Sequence, residues 1–218
     1  MNLQNLSKIC LSIKYFNDNT ITYAKNITNL IELRVDNNYL YINILQDLFD
    51  NFNLIIIKSD NINDYNIDKL LIYKEKLLLD IDYNQLLNNV FILNFLKKYE
   101  LNYIISNHNI KLFQLFENDL YLLKEMLNLN PNIVKIVLND KINDWKEKQV
   151  EIYEEFKKLK TKKNRELICF FEGEKLKESR LFSLKLGAPF TYCSYDDKSK
   201  TGNGQFTCDE LKEKIILF

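Results

Sequence analysis

Several features that mark common classes of protein are missing from this sequence. No apolar run is long enough to span a membrane, and the N-terminal MNLQNLSKIC lacks the apolar core of a signal peptide. Lysine and arginine together number 30, as do aspartate and glutamate, so no excess charge indicates a nucleic acid or a membrane surface as partner. These absences predict a soluble cytoplasmic protein that binds neither.

Cysteine is sparse, and its spacing indicates no metal-binding or redox motif. The four cysteines, Cys10, Cys169, Cys193 and Cys208, form no CxxC pair, and three of them lie in or beside apolar runs typical of strands. This pattern predicts buried free thiols, which fits a reducing compartment.

Glycine and histidine are also scarce, so their positions are informative. All four glycines fall within residues 173–204, and His108 is the only histidine in the chain. Glycine permits positive φ angles and a close approach of the backbone to a ligand. We therefore expect the backbone of residues 173–204 to have a special role.

The chain does contain a regular alternation of short apolar runs and longer amphipathic segments. The apolar runs are rich in isoleucine, leucine and valine, as is typical of parallel strands buried on both faces. They span residues 8–14, 29–35, 53–58, 76–81, 102–106, 132–137, 166–171 and 189–194. The amphipathic segments include residues 145–160, where Val150, Tyr153, Phe156 and Leu159 recur on one helical face.

Eight predicted strands alternating with helices predict an α/β fold, a (β/α)8 TIM barrel. Neither a linker nor an internal repeat divides the chain, so we expect residues 1–218 to form a single domain. The alternative is an open doubly wound sheet. The first predicted strand is not followed by a glycine-rich phosphate-binding turn, which weakens that alternative.

Polar residues that are unusual in a barrel fall at or near the C-terminal ends of the predicted strands, where barrel enzymes carry their active sites. They are Glu32 and Arg34 on the second strand, Lys58 on the third, Asp80 and Asp82 on the fourth, His108 after the fifth, Lys135 within the sixth, Arg180 in the loop region after the seventh and Gln205 after the eighth. Each has a simpler explanation alone: Asp82 would cap a helix, and a lone histidine is usually a structural residue. Those explanations predict no common location, so the shared edge favours one active site.

Five segments resemble, in order, the motifs of the type I 3-dehydroquinate dehydratases, the Schiff-base enzymes of the shikimate pathway. IELRVD resembles E-x-R-x-D, ISNHNI resembles S-x-H-D-F, and NIVKIVL resembles the strand with the Schiff-base lysine. CFFEGEKLKESR resembles M-G-x-x-G-x-x-S-R, and GAPFTYCSYDDKSKTGNGQFT resembles G-S-P-x-T-Y-A followed by S-A-P-G-Q. The resemblance runs from about residue 8 to the C-terminus.

The resemblance implies a lyase that dehydrates 3-dehydroquinate to 3-dehydroshikimate, the third step of the pathway to chorismate and the aromatic amino acids. It also implies a barrel that is usually a homodimer and needs no metal ion or organic cofactor. Lys135 would form an imine with the C3 ketone, and His108 would take the C2 proton and then protonate the departing C1 hydroxyl. The residues implied to bind the substrate are Glu32, Arg34, Lys58, Arg180, Thr201 and Gln205, with Arg180 on the carboxylate.

The segment after the third predicted strand departs from the family pattern. Lys58 stands where the family has an arginine, and no E-G-G motif follows to supply the glutamate that supports the histidine. The acidic residues that could replace it are Asp60, Asp64, Asp80 and Asp82. Asp80 is favoured, because it matches an acidic family position at the end of the fourth strand.

Two alternative functions remain at this stage. The altered segment is consistent with a catalytically degenerate barrel that is retained as a binding or scaffold protein. Another Schiff-base barrel, such as a class I aldolase, would share the lysine but not this arrangement of histidine, arginine and glutamine. Trapping of an imine would separate these hypotheses, since a scaffold need not form one.

Overall fold

The structure is a computed structural model that describes residues 6–14, 18–35, 42–58, 67–116, 120–160 and 164–216. The strands in these residues are β1 Ile9–Ile13, β2 Leu30–Arg34, β3 Leu54–Lys58, β4 Leu77–Asp82, β5 Tyr103–Ile110, β6 Ile133–Leu138, β7 Glu166–Phe171, β8 Thr191–Ser194 and β9 Phe206–Thr207. They form one sheet in the order β7-β6-β5-β4-β3-β2-β1-β8-β9, and every pair is parallel.

Helices separate most of the strands along the chain. They are α1 Asp18–Ile27, α2 Ile42–Asn51, α3 Ile67–Leu70, α4 Tyr83–Asn88, α5 Val90–Lys98, α6 Leu112–Phe116, α7 Tyr121–Asn128, α8 Trp145–Leu159, α9 Glu178–Leu186 and α10 Cys208–Ile215. None of these helices is long and apolar enough to cross a membrane.

The sheet curls into a barrel. Every residue of β1, β3, β6 and β8 is buried, as expected when helices cover one face of the sheet and side chains fill the space enclosed by the other. Lys135 on β6 reaches both Asp80 on β4 and Glu32 on β2, a contact across the sheet that a flat arrangement would prevent. Helix α9 packs on both β7 and β8. The predicted α/β barrel is therefore confirmed, whereas a single domain over residues 1–218 stays a prediction.

Strand β5 extends further than predicted. It continues to Ile110, which pairs with Leu138 of β6, so His108 lies inside the strand and not after it. The polar sequence SNHN ended the apolar pattern, but backbone hydrogen bonds of a ladder do not require apolar side chains. The pairing shifts register between Asn107 and Ile110, which places an irregularity beside the histidine.

Two other predictions about local structure are wrong. Arg180 lies in the first turn of α9, where its backbone N–H donates to the carbonyl of Lys177, and not in a loop. Cys193 and Cys208 form a disulfide, with their Cα atoms 5.2 Å apart, so the prediction of free thiols holds only for the buried Cys10 and Cys169. The pairing of β9 with β8 brings the first residue of α10 to β8, and sequence spacing does not reveal this proximity.

Helix α8 matches the predicted segment, but its buried face is different. Tyr153 and Phe156 are buried as predicted, while the other two predicted core positions are only partly buried. Gln149 and Ile152 are buried in their place. A glutamine at the centre of a buried face requires hydrogen-bond partners.

The amide of Gln149 supplies a link between three elements. Its Nε2 donates to the carbonyl of Cys169 on β7 at 2.6 Å and to that of Ser179 on α9 at 2.9 Å. These bonds join α8 to β7 and to α9, the helix that carries Arg180. Helical periodicity alone assigns a polar residue to the solvent face and so could not find this contact.

Replacing Gln149 with leucine should lower the free energy of unfolding by about 2–3 kcal/mol, because two buried carbonyl groups lose their donor. Urea denaturation would measure the change. The control is Glu154→Leu on the exposed side of the same helix, which should change the free energy by less than about 0.5 kcal/mol. Equal effects of the two substitutions would contradict a bridging role for Gln149.

Candidate active site

The C-terminal ends of the strands surround one pocket of about 290 Å³. Of the residues that the sequence singled out, those that line it are Glu32, Arg34, Lys58, Asp82, His108, Lys135, Arg180, Thr201 and Gln205. Asp80 is fully buried and contacts two of these lining residues, Lys58 and Lys135. The structure thus brings together every residue predicted for the site, although their roles stay predictions.

Lys135 presents a buried amine to this pocket. Its Nζ lies 2.9 Å from Oδ2 of Asp80 and 3.7 Å from Oε2 of Glu32, and it lies over the ring of Tyr192 at 4.3 Å from the centroid. A buried ammonium group is costly unless it is paired, and these neighbours provide the pairing. The side chain is therefore held at a defined place within an otherwise apolar strand.

Asp80 connects Lys135 to a second buried lysine. The Nζ of Lys58 lies 3.1 Å from Oδ1 of Asp80 and donates to the hydroxyl of Ser106 at 3.0 Å. Burial alone would raise the pKa of Asp80, but the charges of Lys135 and Lys58 outweigh it and hold that pKa well below its usual range. The carboxylate is therefore ionised at neutral pH and shared by two ammonium groups.

His108 is neutral at physiological pH in this environment. Burial and the positive charges of Lys135 and Lys58 lower its pKa to about 3, although the Asp80 carboxylate acts in the opposite direction. Its Nε2 is buried and has no hydrogen-bond partner in the described part of the chain. A neutral imidazole with a free nitrogen can accept a proton.

The acidic residues considered as supports for His108 differ in what they contact. Asp82 accepts the backbone N–H of Asn84 at 2.8 Å and caps α4, which is its simpler predicted role. Asp80 acts on His108 through its charge and is tied to the two lysines. Asp60 and Asp64 lie outside the described residues. Of the two that the structure describes, Asp80 has the contacts that fit an electrostatic support.

Arg180 is a buried cation in the lining of the same pocket. Its guanidinium stacks on the ring of Phe170 at 3.9 Å, and burial lowers its pKa to about 10, so it stays charged at neutral pH. Its Nε donates to the carbonyl of Gly204 at 3.1 Å, and its Nη2 donates to that of Asn203 at 3.3 Å. Arg180 therefore joins α9 to the turn that follows β8.

That turn, residues 201–205, is called the lid segment below. Gly204 has a φ of +68°, and a Cβ atom there would lie 2.2 Å from the carbonyl oxygen of Gly173, so only glycine fits. Both residues belong to the glycine-containing region 173–204, for which the sequence predicted a special backbone. Close packing of these two glycines brings the lid segment over the end of β7.

A chain of hydrogen bonds continues from the lid segment into the barrel. Within the segment, Oε1 of Gln205 accepts from the backbone N–H of Thr201 at 2.8 Å, and the Thr201 hydroxyl lies 3.1 Å from the same oxygen. The Thr201 hydroxyl meets that of Ser12 at 3.1 Å, and Ser12 donates to Oε1 of Glu32 at 2.6 Å. Glu32 in turn lies beside Lys135. The lid segment is thereby connected to the amine.

Three residues of the site were missed by sequence reasoning. Glu172 directly follows β7, so the strand-end criterion applied to the other residues would have found it, whereas Ser12 lies within the predicted first strand of residues 8–14 and would not have been found. Tyr192 lies on β8, and its buried hydroxyl has no hydrogen-bond partner among the described residues, nor does Oε2 of Glu32. Buried polar atoms that lack partners mark places where a ligand's polar groups would bind.

The lowered pKa of His108 predicts a specific pH dependence of stability. Unfolding returns its pKa to about 6.5, so the stability contributed by the neutral ring is complete above that pH and is lost as the pH falls toward 3. Between pH 7.5 and pH 5, wild type should lose about 2 kcal/mol more unfolding free energy than His108→Asn. Urea denaturation at both pH values measures this difference, and parallel losses would contradict it.

Comparison with known proteins gives both a family and related folds. The sequence profile of the type I 3-dehydroquinases matches residues 58–216, while no curated protein matches the chain by sequence. The structure resembles a type I 3-dehydroquinate dehydratase from Clostridium difficile bearing covalently modified comenic acid (20% identity, 97% of this chain and 92% of that chain covered, TM-score 0.65). It also resembles the 3-dehydroquinate dehydratase of Aquifex aeolicus (19% identity, 97% of this chain and 99% of that chain covered, TM-score 0.67). A third similar structure is the N-terminal domain of a putative aldolase from Bacteroides vulgatus (12% identity, 96% of this chain and 79% of that chain covered, TM-score 0.68).

At these identities the solved structures establish only the fold, which dehydratases share with a putative aldolase. The profile is more discriminating, because the range that it matches includes four of the five motif segments, from ISNHNI to the lid segment. Only IELRVD, with Glu32 and Arg34, precedes that range. The chain belongs to the type I 3-dehydroquinase family of enzymes.

Proposed function

We propose that this enzyme converts 3-dehydroquinate to 3-dehydroshikimate through an imine on Lys135, as the third step of the shikimate pathway toward chorismate and the aromatic amino acids. The observation that carries the proposal is the placement of the buried Lys135 amine in the pocket together with a neutral histidine and a buried arginine. The three groups match the needs of the reaction: a nucleophile, a proton carrier and a partner for a carboxylate.

The first step requires the neutral amine of Lys135. The carboxylate of Glu32, 3.7 Å from Nζ, is placed to receive the proton that the ammonium form must release, whereas Asp80 at 2.9 Å has a lowered pKa and serves as the counter-ion. The amine then adds to the C3 ketone, and loss of water from the carbinolamine leaves a cationic iminium group. That cation withdraws electrons from C2, which makes the C2 proton easier to remove.

His108 is suited to carry that proton. Its pKa of about 3 leaves the ring unprotonated at neutral pH, as a general base must be. Once protonated beside Lys135 and Lys58, the ring is a stronger acid than an ordinary imidazolium. It therefore returns the proton readily to the departing C1 hydroxyl, which leaves as water. Hydrolysis of the product imine then restores the free lysine.

The remaining residues hold the substrate. Arg180 offers a planar guanidinium to the carboxylate of 3-dehydroquinate, because such a group matches two carboxylate oxygens. The residues that would bind the hydroxyl groups are Glu32, Arg34, Lys58, Thr201 and Gln205. Glu32, Tyr192 and His108 each have a buried polar atom with no hydrogen-bond partner among the described residues, which supports a ligand with several hydrogen-bonding groups.

Two further proposals accompany this function. We propose a homodimer, as the resemblance implies, and exposed apolar side chains on α4 to α7, among them Leu87, Val90, Phe91 and Phe113, are consistent with an interface. We also place the enzyme in the cytoplasm. No metal or cofactor is required by the proposed chemistry, because the imine supplies the electron sink.

Borohydride reduction during incubation with 3-dehydroquinate should attach the substrate skeleton to the peptide that contains Lys135. Intact mass and peptide mapping measure the adduct. Lys135→Ala should give no adduct and no turnover, whereas Lys141→Ala, which removes an exposed lysine, should behave like wild type. An adduct on the Lys58 peptide instead would show that the other buried amine is the nucleophile.

His108→Ala should slow turnover about 10²- to 10⁴-fold, the usual contribution of a general acid–base residue, while the imine is still trapped. Steady-state kinetics and the same trapping experiment measure the two effects separately. A variant that kept near-wild-type kcat would remove His108 from the mechanism.

The alternative of a degenerate barrel is motivated by Lys58, which lacks the fork of the family's arginine. A folded wild-type protein that gave neither an adduct nor turnover would favour that alternative. An aldolase would instead form adducts with other ketones and not release 3-dehydroshikimate.

A further inference from the structure

Glu172 is a charged pocket residue that the proposed reaction does not use. In CFFEGEKLKESR, which resembles M-G-x-x-G-x-x-S-R, Ser179 and Arg180 align with the final S-R. Glu172 therefore occupies the place of the motif's methionine. A carboxylate has replaced a neutral thioether in the lining of the pocket, and the resemblance does not explain it.

Glu172 contacts the lid segment from the end of β7. Its Oε1 accepts the backbone N–H of Asn203 at 3.3 Å, and the N–H of the adjacent Gly173 donates to the carbonyl of Asn203 at 3.4 Å. A Cβ atom on Gly202 would lie 3.4 Å from Nη2 of Arg180 and 4.0 Å from Oε1 of Glu172. The carboxylate and the guanidinium therefore meet the same turn of the lid segment.

The two charges also influence each other. Burial lowers the pKa of Arg180 to about 10, and the negative charge of Glu172 acts in the opposite direction. Because a pKa of about 10 is far above neutrality, Arg180 does not need Glu172 in order to stay charged. The principal electrostatic effect of Glu172 at neutral pH then falls on an anion that binds at Arg180, which it repels.

We propose that Glu172 is a positioning and specificity-determining residue that holds the lid segment through the N–H of Asn203 and weakens the binding of carboxylates at Arg180. The proposal rests on the proposed function for the identity of those carboxylates, the substrate and the product. The lid segment is then held in place without a bound anion, and the weaker binding of carboxylates at Arg180 allows the product to leave more readily.

Two substitutions separate these effects. Glu172→Gln removes the charge but keeps an oxygen that can accept the Asn203 N–H. Glu172→Met restores the residue of the motif at similar length and removes both the charge and the acceptor. Glu174→Gln is the control, because Glu174 lies two residues away, is largely exposed and forms an ion pair with Lys177.

Removal of the charge should strengthen carboxylate binding. Both Glu172→Gln and Glu172→Met should lower the KM for 3-dehydroquinate and the dissociation constant of 3-dehydroshikimate by about three- to tenfold, with kcat unchanged or reduced. Glu174→Gln should leave all three values as in wild type. Unchanged or weaker binding in Glu172→Gln would overturn the electrostatic role, since a purely structural residue would not improve affinity when neutralised.

Hydrogen–deuterium exchange of the peptide spanning residues 201–206, measured without substrate, tests the contact with the lid segment. Exchange should be at least several-fold faster in Glu172→Met than in wild type, and near wild type in Glu172→Gln. Equal exchange in all variants would overturn the proposal that Glu172 holds the lid segment. Calorimetric titration with 3-dehydroshikimate and the exchange measurement need no turnover, so both decide this proposal even if wild type fails to dehydrate 3-dehydroquinate.

Discussion

One buried carboxylate, Asp80, shares its charge between two buried ammonium groups, and the geometry of the pocket depends on this cluster. Asp80 is 0% exposed and the two lysines are nearly as buried, so none of the three ions can rely on water. Removal of one partner would leave an uncompensated buried charge, which costs roughly 3–5 kcal/mol. An apolar replacement of the entire cluster would carry no such penalty, so stability alone does not explain its presence. Its effect is positional, because it holds the amine of Lys135 at a defined place in the pocket.

The cluster also determines the state of His108. Two cations and burial keep the imidazole neutral, while Asp80 limits how far its pKa falls. The lysine at position 58 provides a compact charge, with contacts to Asp80 and Ser106 where an arginine would provide a planar fork. The site thus retains a cation at this position, although the shape of the contact has changed. The lysine that departs from the family pattern therefore belongs to the network that orients Lys135, the proposed nucleophile.

A second network links the lid segment to the barrel. It runs from Gln205 and Thr201 through Ser12 to Glu32, and Glu32 lies beside Lys135. Arg180 and Glu172 hold the other side of the same segment through its backbone. The groups that would bind the substrate are therefore also those that order the loop above it.

The sequence by itself determined the eight strands of the barrel, the helix of residues 145–160 and the strand-end residues of the site. These features follow from local apolar periodicity and from the rule that parallel strands end at a common rim. Only the tertiary structure decided the features that depend on contacts between distant segments. They include the burial of Gln149, the extension of β5 through His108, the pairing of Cys193 with Cys208, and the places of Ser12 and Tyr192. Each depends on a hydrogen bond, a ladder or a proximity between elements that are far apart in the chain, and no local pattern encodes such a contact.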